Sequence, residues 1–378
     1  MSAQLGQDIK AHVAPAKLHR LRTWQVFVLV MVAMLFGTVY QSSLDLPVAT
    51  HNRLAALGIT IPIALAEVGL MLYIMDSCGH QSLPELLPAV TPRWMTAAIL
   101  LLYAVVHICY AAMAVRYQSE GIAAFMLETT PSDVIGIALL LTATFLLQRG
   151  IRQLARVSEL LFWIILIPLV AVFLTAAGQM DKGELRTLLT VDPAGLFHEL
   201  MQTIPLVFSL NYIFFFYGAS KPEKKSRGAI WGGVAASLSF LIAFLLILVG
   251  TFSLAGIARI YHPMGELVRA INASPYSLFE RLDLFFLATR TMLVTLNLAM
   301  GLYAACRAVA GAFGLGDIRG LLPAILALTF LIASLTQQIQ VLIWVRRISV
   351  YLQWALFAGV VPLLALWVRI MQQRGRML

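Results

Sequence analysis

The chain has 378 residues, of which 60% are hydrophobic and only 12% are charged. Soluble domains carry about 25% charged residues, so this composition excludes an ordinary soluble globular protein. A formal net charge of +9 would suggest a nucleic-acid partner in a soluble chain. Here the basic residues lie between long apolar segments, where membrane topology and anionic lipid head groups explain them.

Segments of roughly 20 mostly apolar residues predict membrane-spanning helices. The predicted spans are 24–48, 54–75, 94–115, 131–147, 155–177, 197–219, 228–256, 282–306, 320–336 and 348–368. We therefore expect an all-α polytopic membrane protein with ten transmembrane helices. It would comprise an N-terminal segment at 1–22, one transmembrane domain at 23–371 and a tail at 372–378.

The basic residues predict the orientation of these spans. With the N-terminus inside, the inside segments hold 17 Lys and Arg residues and the outside segments hold nine. Cytoplasmic loops carry an excess of Lys and Arg, so both termini are predicted to be cytoplasmic. An even number of spans agrees with that orientation.

The first span ends in a polar run that a lipid-facing helix would not carry. In order, it contains Tyr40, Gln41, Ser42, Ser43, Asp45 and Pro47. Unpaired backbone groups are costly in lipid, so a helix breaks only where protein or a water-filled cavity satisfies them. We interpret the run as an interior-facing break. The alternative is that the serines bond back to the preceding turn and pack against neighbouring helices.

The sixth span is interrupted in a similar way. It contains Pro205, followed by Phe208, Ser209, Asn211 and Tyr212 in mid-span. Secondary transporters are often inverted repeats with discontinuous helices at matching positions, whose exposed backbone groups hold the ends of a substrate. The first and sixth spans match in a five-plus-five repeat. Its halves would be about 23–177 and 197–371. The alternative is two unrelated proline kinks.

Three charged residues within spans are candidates for gating or coupling: Asp45, Glu67 and Arg290. A charge near the bilayer centre is expensive and usually faces the interior with a partner. Arg290 would hold a ligand carboxylate or pair with a gating acid, unless it forms a structural salt bridge or snorkels outward. Glu67 is a candidate proton-coupling acid. Tyr110 and Asn297 are candidates to line the cavity, or are simply polar contacts between helices.

Several stretches, in order along the chain, carry a family resemblance. They are SLDLP (43–47), QSLPELLPAV (81–90), FMLETTPSDVI (125–135), RGIRQLARVSELLF (149–162), KPEKKSRG (221–228), FERLDLFFLATR (279–290) and GLYAACRAVAGAFGL (301–315). With this order and spacing the chain resembles the B subunit of spore germinant receptors (GerAB type), spore permeases of the amino acid–polyamine–organocation transporter superfamily.

The resemblance implies a ten-helix fold like that of the leucine transporter, with helices 1 and 6 interrupted and a ligand site between them. It implies sensing of a small germinant, typically an amino acid, in the inner membrane of a bacterial spore. The implied partners are an A-type subunit and a lipoprotein C-type subunit. The chain departs from the family at Tyr40, Gln41 and Ser42, where glycines are usual.

Three functions are compatible with these features. The first is a germinant-sensing receptor subunit; the second is a proton-coupled amino-acid permease with a full transport cycle; the third is a scaffold subunit that binds no ligand. The sequence contains no phosphate-binding glycine loop, metal-spaced His/Cys set or nucleophile elbow, so we expect neither an enzyme nor a cofactor or metal site.

Overall fold

The computed structural model describes residues 20–36, 51–257, 259–260, 263–272 and 282–374, and these residues are helical for most of their length. The α-helices are α1 (Thr23–Phe36), α2 (Arg53–Ser77), α3 (Leu83–Val90), α4 (Arg93–Phe125), α5 (Ser132–Leu147), α6 (Ile151–Ala177), α7 (Pro193–Val207), α8 (Ile213–Phe216), α9 (Lys224–Ile257), α10 (Pro263–Asn272), α11 (Leu282–Phe313), α12 (Leu322–Leu335), α13 (Ile339–Trp354) and α14 (Val361–Gln373). Short 3-10 segments and one π-helical turn, Ala355–Val360, join some of them.

Every predicted span overlaps a helix of the structure. Among the described residues, seven helical stretches are long and apolar enough to cross a membrane. They are Arg53–Ser77, Arg93–Phe125, Ile151–Ala177, Pro193–Ala219, Lys224–Ile257, Phe285–Phe313 and Gln340–Gln373. The other three predicted spans correspond to the shorter apolar helices α1, α5 and α12. The structure is thus an all-α, membrane-type fold.

The third span extends beyond its predicted end. The apolar run stops at Val115, yet α4 continues to Phe125. The added turns carry polar side chains that are paired. Arg116 forms an ion pair with Glu120, and Gln118 donates a hydrogen bond of 3.0 Å to Thr291 in α11. Pairing removes much of the cost of polar groups there, so the helix outlasts the apolar segment.

The centre of the fold is built around α1, α4 and α11. Eleven of the 14 residues of α1 are buried. It packs against α6, α9 and α11, while α11 packs along α4. A helix that is apolar and buried on all sides lies inside a bundle instead of facing lipid. The end of α1 at Phe36 therefore lies in the protein interior.

A polar cluster closes the end of the bundle that the sequence predicts to be cytoplasmic. Asp76 at the end of α2 pairs with Arg227 at 2.6 Å and accepts a hydrogen bond of 3.2 Å from the Tyr217 hydroxyl. His80 contacts Asp76 at 3.3 Å and Ser220 at 3.2 Å. These contacts join the ends of the second and sixth spans to the start of α9.

The backbone is also closely packed at this end of the bundle. The Leu21 N–H donates a hydrogen bond of 2.8 Å to the Ala219 carbonyl, which ties the start of the first span to the end of the sixth. A Cβ atom on Gly218 would lie 2.5 Å from the backbone nitrogen of Ser82. Only glycine fits this contact without displacing the backbone.

Gly218→Ala is therefore expected to lower the thermal unfolding temperature of the purified protein, because backbone must shift to admit the new methyl group. The matched control is Gly228→Ala in α9, where a Cβ would meet nothing within 4 Å. Helix propensity alone favours that control substitution by roughly 0.5–1 kcal/mol. Equal unfolding temperatures for the two variants would contradict the close contact.

Candidate functional site

The sixth span is interrupted in the structure. α7 ends at Val207, residues Phe208–Tyr212 form a 3-10 segment, and α8 occupies only Ile213–Phe216 before a further 3-10 turn at Tyr217–Ala219. The interruption begins three residues after Pro205, the proline that the sequence singles out. All five side chains of the 3-10 segment are buried. The regular α-helix of the sixth span thus gives way to 3-10 geometry at the residues where the sequence predicts a break.

Asn211 lies at the centre of this break. Its Oδ1 accepts a hydrogen bond of 3.2 Å from the hydroxyl of Tyr103 in α4. Its Nδ2 donates a bond of 3.1 Å to the Phe208 carbonyl. One amide thus satisfies a backbone group exposed by the break and also links it to α4. Ser209 is buried beside it, and its hydroxyl has no hydrogen-bond partner among the described residues.

His107 in α4 is buried in an aromatic cluster against the break. Its ring stacks on Tyr212 with centroids 5.1 Å apart and lies 5.4 Å from the rings of both Phe208 and Phe215. The side chain is fully buried, and neither ring nitrogen has a hydrogen-bond partner within the described parts of the chain. Buried polar groups are normally hydrogen-bonded, so these two nitrogens are candidate partners for a ligand or a water molecule.

Asn297 in α11 connects the two spans that the sequence predicts to be interrupted. Its Nδ2 donates a hydrogen bond of 3.1 Å to the carbonyl of Ala33, in the last described turn of α1. Its Oδ1 accepts a bond of 3.4 Å from the Tyr212 hydroxyl in the break. A single amide therefore fixes the distance between the first span and the break in the sixth.

Tyr110 lies one turn from His107 in α4 and completes the aromatic wall. Its ring is 5.8 Å from Phe36 at the end of α1 and 6.0 Å from Phe208. The candidate site is therefore a buried polar and aromatic cluster between α1, α4, α11 and the break. Its members are Tyr103, His107, Tyr110, Phe208, Ser209, Asn211, Tyr212 and Asn297; we call it the break cluster.

Six of the predicted ligand-binding residues come together in the break cluster. They are Tyr110, Phe208, Ser209, Asn211, Tyr212 and Asn297. The predicted first-span residues Tyr40, Gln41, Ser42, Ser43 and Asp45 lie outside the described residues. Their roles stay predictions; the last described turn of α1 contacts Tyr110 through Phe36 and Asn297 through Ala33.

Glu67 in α2 lies close to the cluster. It is buried, and its Oε1 has no hydrogen-bond partner among the described residues. Acidic side chains inside membrane spans are rare and usually face the protein interior, so the coupling role of Glu67 stays a prediction.

Arg290 lies apart from the break. It precedes Asn297 by seven residues in α11, which is about 10 Å along a helix. The guanidinium lies 5.3 Å from the ring centroid of Tyr117 and near Gly121, and it is buried. With Arg269 and Phe125 it lines a small cavity of about 40 Å³. Any contact of Arg290 with a ligand in the break cluster would therefore be indirect.

Sequence reasoning missed two members of the break cluster, His107 and Tyr103. The signal was present: both lie in the apolar run of the third span, where ionisable side chains are rare and usually face the interior. Neither residue was predicted, because no proline or polar run interrupts the helix around them. Only the packing of α4 against the break shows that this face of the helix matters.

Replacing Asn297 is expected to destabilise the protein. Asn297→Leu keeps the side-chain volume but leaves the Ala33 carbonyl and the Tyr212 hydroxyl without this partner, at a cost of about 1–3 kcal/mol. The control is Thr295→Val, two residues away in α11, whose hydroxyl bonds back to the Thr291 carbonyl of the same helix at 2.8 Å. Thermal unfolding in detergent compares them, and an equal or smaller loss for Asn297→Leu would refute the bridging role.

Comparison with known proteins identifies the family. The model of a spore permease family, described as spore germination protein, matches residues 19–341. The chain is 27% identical to spore germination protein YndE of Bacillus subtilis (strain 168) over 243 residues, 63% of this chain and 66% of that protein.

Two further relatives from the same organism agree. Spore germination protein KB is 22% identical over 71% of this chain and 72% of its own length. Spore germination protein B2 is 25% identical over half of each chain. The family match covers most of the chain, and the long apolar helices agree with a membrane permease. The chain therefore belongs to the spore permease family of membrane spore germination proteins.

Proposed function

We propose that the protein is a germinant-sensing membrane subunit that binds a small nutrient, an amino acid in the first instance, in the break cluster. The observation that carries the proposal is the interrupted sixth span, whose buried polar groups meet the end of α1 through Asn297. Broken helices expose backbone groups in mid-membrane, and transporters use such groups to hold the charged ends of substrates.

The chemistry of the break cluster suits a small polar ligand. The side chains named above are amides, hydroxyls, an imidazole and aromatic rings, and none of them is a carboxylate, an ammonium or a guanidinium group. The unpartnered nitrogens of His107 and the unpartnered hydroxyl of Ser209 supply hydrogen bonds, while Phe208 and Tyr110 supply apolar walls. Backbone dipoles at the break would meet a carboxylate or ammonium group.

The family resemblance and the charge distribution also suggest the fold, the orientation and the location of the protein. We infer a leucine-transporter-like arrangement of ten spans as two inverted repeats, with both termini cytoplasmic. Support comes from the overlap of all ten predicted spans with helices, and from the 17 basic residues on one side against nine on the other. The proposed location is the spore inner membrane, with A-type and C-type receptor subunits as partners.

Ligand-dependent thermal stabilisation tests the site. The purified chain is screened against amino acids, sugars and nucleosides, and a ligand at 100 times its Kd should stabilise it by about 2.7 kcal/mol. His107→Phe keeps the ring stacking but removes both nitrogens, so the ligand-induced shift should fall or vanish. The control is His198→Phe, an exposed histidine of α7, which should keep the full shift.

Two outcomes would contradict the proposed site or the proposed function. A shift that survives His107→Phe and Asn211→Leu unchanged would place the ligand outside the break cluster. A well-folded protein that responds to no ligand, alone or with its receptor partners, would favour the non-binding scaffold subunit instead.

A second candidate function, a proton-coupled amino-acid permease, is favoured by Glu67. A buried acid whose Oε1 has no hydrogen-bond partner among the described residues is suited to take up and release a proton during a transport cycle. The two candidates share one binding site and differ in whether the ligand crosses the membrane.

Uptake into proteoliposomes separates them. If the chain is a permease, a proton gradient should drive accumulation of the stabilising ligand without partner subunits, and Glu67→Gln should abolish accumulation while leaving ligand binding in place. Glu128→Gln, an exposed acid after α4, is the control and should transport normally. Binding without accumulation under any gradient would rule out the permease and leave the sensor.

A further inference from the structure

A large cavity lies at the end of the bundle away from Arg290, between α5, α11 and α12. Its volume is about 530 Å³, within the range of about 300–1,000 Å³ that is usual for small-molecule sites. The floor is formed by Tyr303 and Cys306 of α11, which are buried. Leu147, Leu322 and Leu326 form apolar walls along the other two helices.

Two exposed arginines, Arg149 and Arg319, contribute to the lining of the cavity. Arg149 follows the end of α5, and Arg319 precedes the start of α12; both line the cavity, together with Gln148. Among the described residues neither arginine forms an ion pair. Asp317 is the acid nearest to Arg319 in sequence; it accepts the Arg319 backbone N–H at 3.0 Å and is not part of the lining.

The depth of these groups fits a bilayer boundary. Arg149 and Arg319 lie in connections just beyond the ends of two apolar helices, at the level of lipid head groups. Leu147 is the last residue of α5 and Leu322 the first of α12, while Leu326 lies one turn further into α12, on the side of the hydrocarbon region. Arg307 of α11 pairs with Glu85 of α3 at 2.6 Å, which places the cavity at the same end as the polar cluster around Asp76.

We propose that this cavity binds an anionic phospholipid, with the phosphodiester held by Arg149 and Arg319 and the start of one acyl chain lying along Leu322 and Leu326. The guanidinium fork matches phosphate geometry, and basic pockets between transmembrane helices on the cytoplasmic side bind acidic head groups. The site is separate from the break cluster, so a lipid there would act on the packing of α5, α11 and α12.

Native mass spectrometry and thermal unfolding of the delipidated full chain test the site. The probes are phosphatidylglycerol, phosphatidylcholine with the same acyl chains, and inorganic phosphate. The wild-type protein should retain one phosphatidylglycerol in preference to phosphatidylcholine and be stabilised by it. Arg149→Gln with Arg319→Gln should weaken that binding about tenfold or more.

Controls separate a built site from general charge attraction. Arg93→Gln with Arg374→Gln removes two exposed arginines outside the cavity and should leave binding within about twofold of wild type. Thr144→Trp fills the cavity and keeps both arginines, so it should also abolish retention. If Thr144→Trp does not fold, Leu326→Trp fills the same cavity from α12 with the same expected result.

Four results would overturn the proposal. They are equal retention of both lipids, unchanged binding in the Arg149 and Arg319 double variant, retained binding in the cavity-filling variant, and the same stabilisation by inorganic phosphate as by phosphatidylglycerol. The last result would identify the cavity as a phosphate site without a lipid.

Discussion

The constraint on which this fold depends is that a helix interrupted inside a membrane must have its backbone polar groups satisfied by protein. At Phe208–Tyr212 the regular helix gives way to 3-10 geometry, and neighbouring helices provide the compensation. Asn211 bonds to a carbonyl of the break and receives Tyr103 of α4. Asn297 of α11 joins the break to a carbonyl of α1. The central position of α1, α4 and α11 follows from this need.

α2 braces the interrupted span on both sides of the break. Near its start, Arg53 pairs with Glu199 of α7 at 2.5 Å, and both are buried. Seven residues on, the Thr60 and Thr203 hydroxyls are 2.6 Å apart. At its far end Asp76 receives Tyr217. Removing one partner of a buried ion pair typically costs about 3–5 kcal/mol, so the Arg53–Glu199 pair firmly fixes the start of α2 to α7.

The sequence was a good guide to the helices and a partial guide to the site, for physical reasons. Hydropathy depends on the residues of one span, so each predicted span overlaps a helix, although the first is described only to Phe36. The polar extension of α4 was not predicted, because its side chains are paired by contacts such as Arg116–Glu120 that hydropathy does not show. Pro205 and Asn211 marked the break because they disturb a helix locally. His107 disturbs nothing locally, and its place in the cluster depends on how α4 packs.

The contacts at the predicted cytoplasmic end bear on the choice between sensing and transport. Opening that end would separate Leu21 from Ala219 and Asp76 from Arg227 and Tyr217. A ligand can shift a two-state equilibrium only by its differential affinity, and a shift from 1:99 to 99:1 needs about 5.5 kcal/mol. A transporter must pass through the open state in every cycle. A receptor subunit needs only a population change that its partners detect, and under the proposed function a small ligand bound between His107 and the break would supply that change without opening the cytoplasmic end.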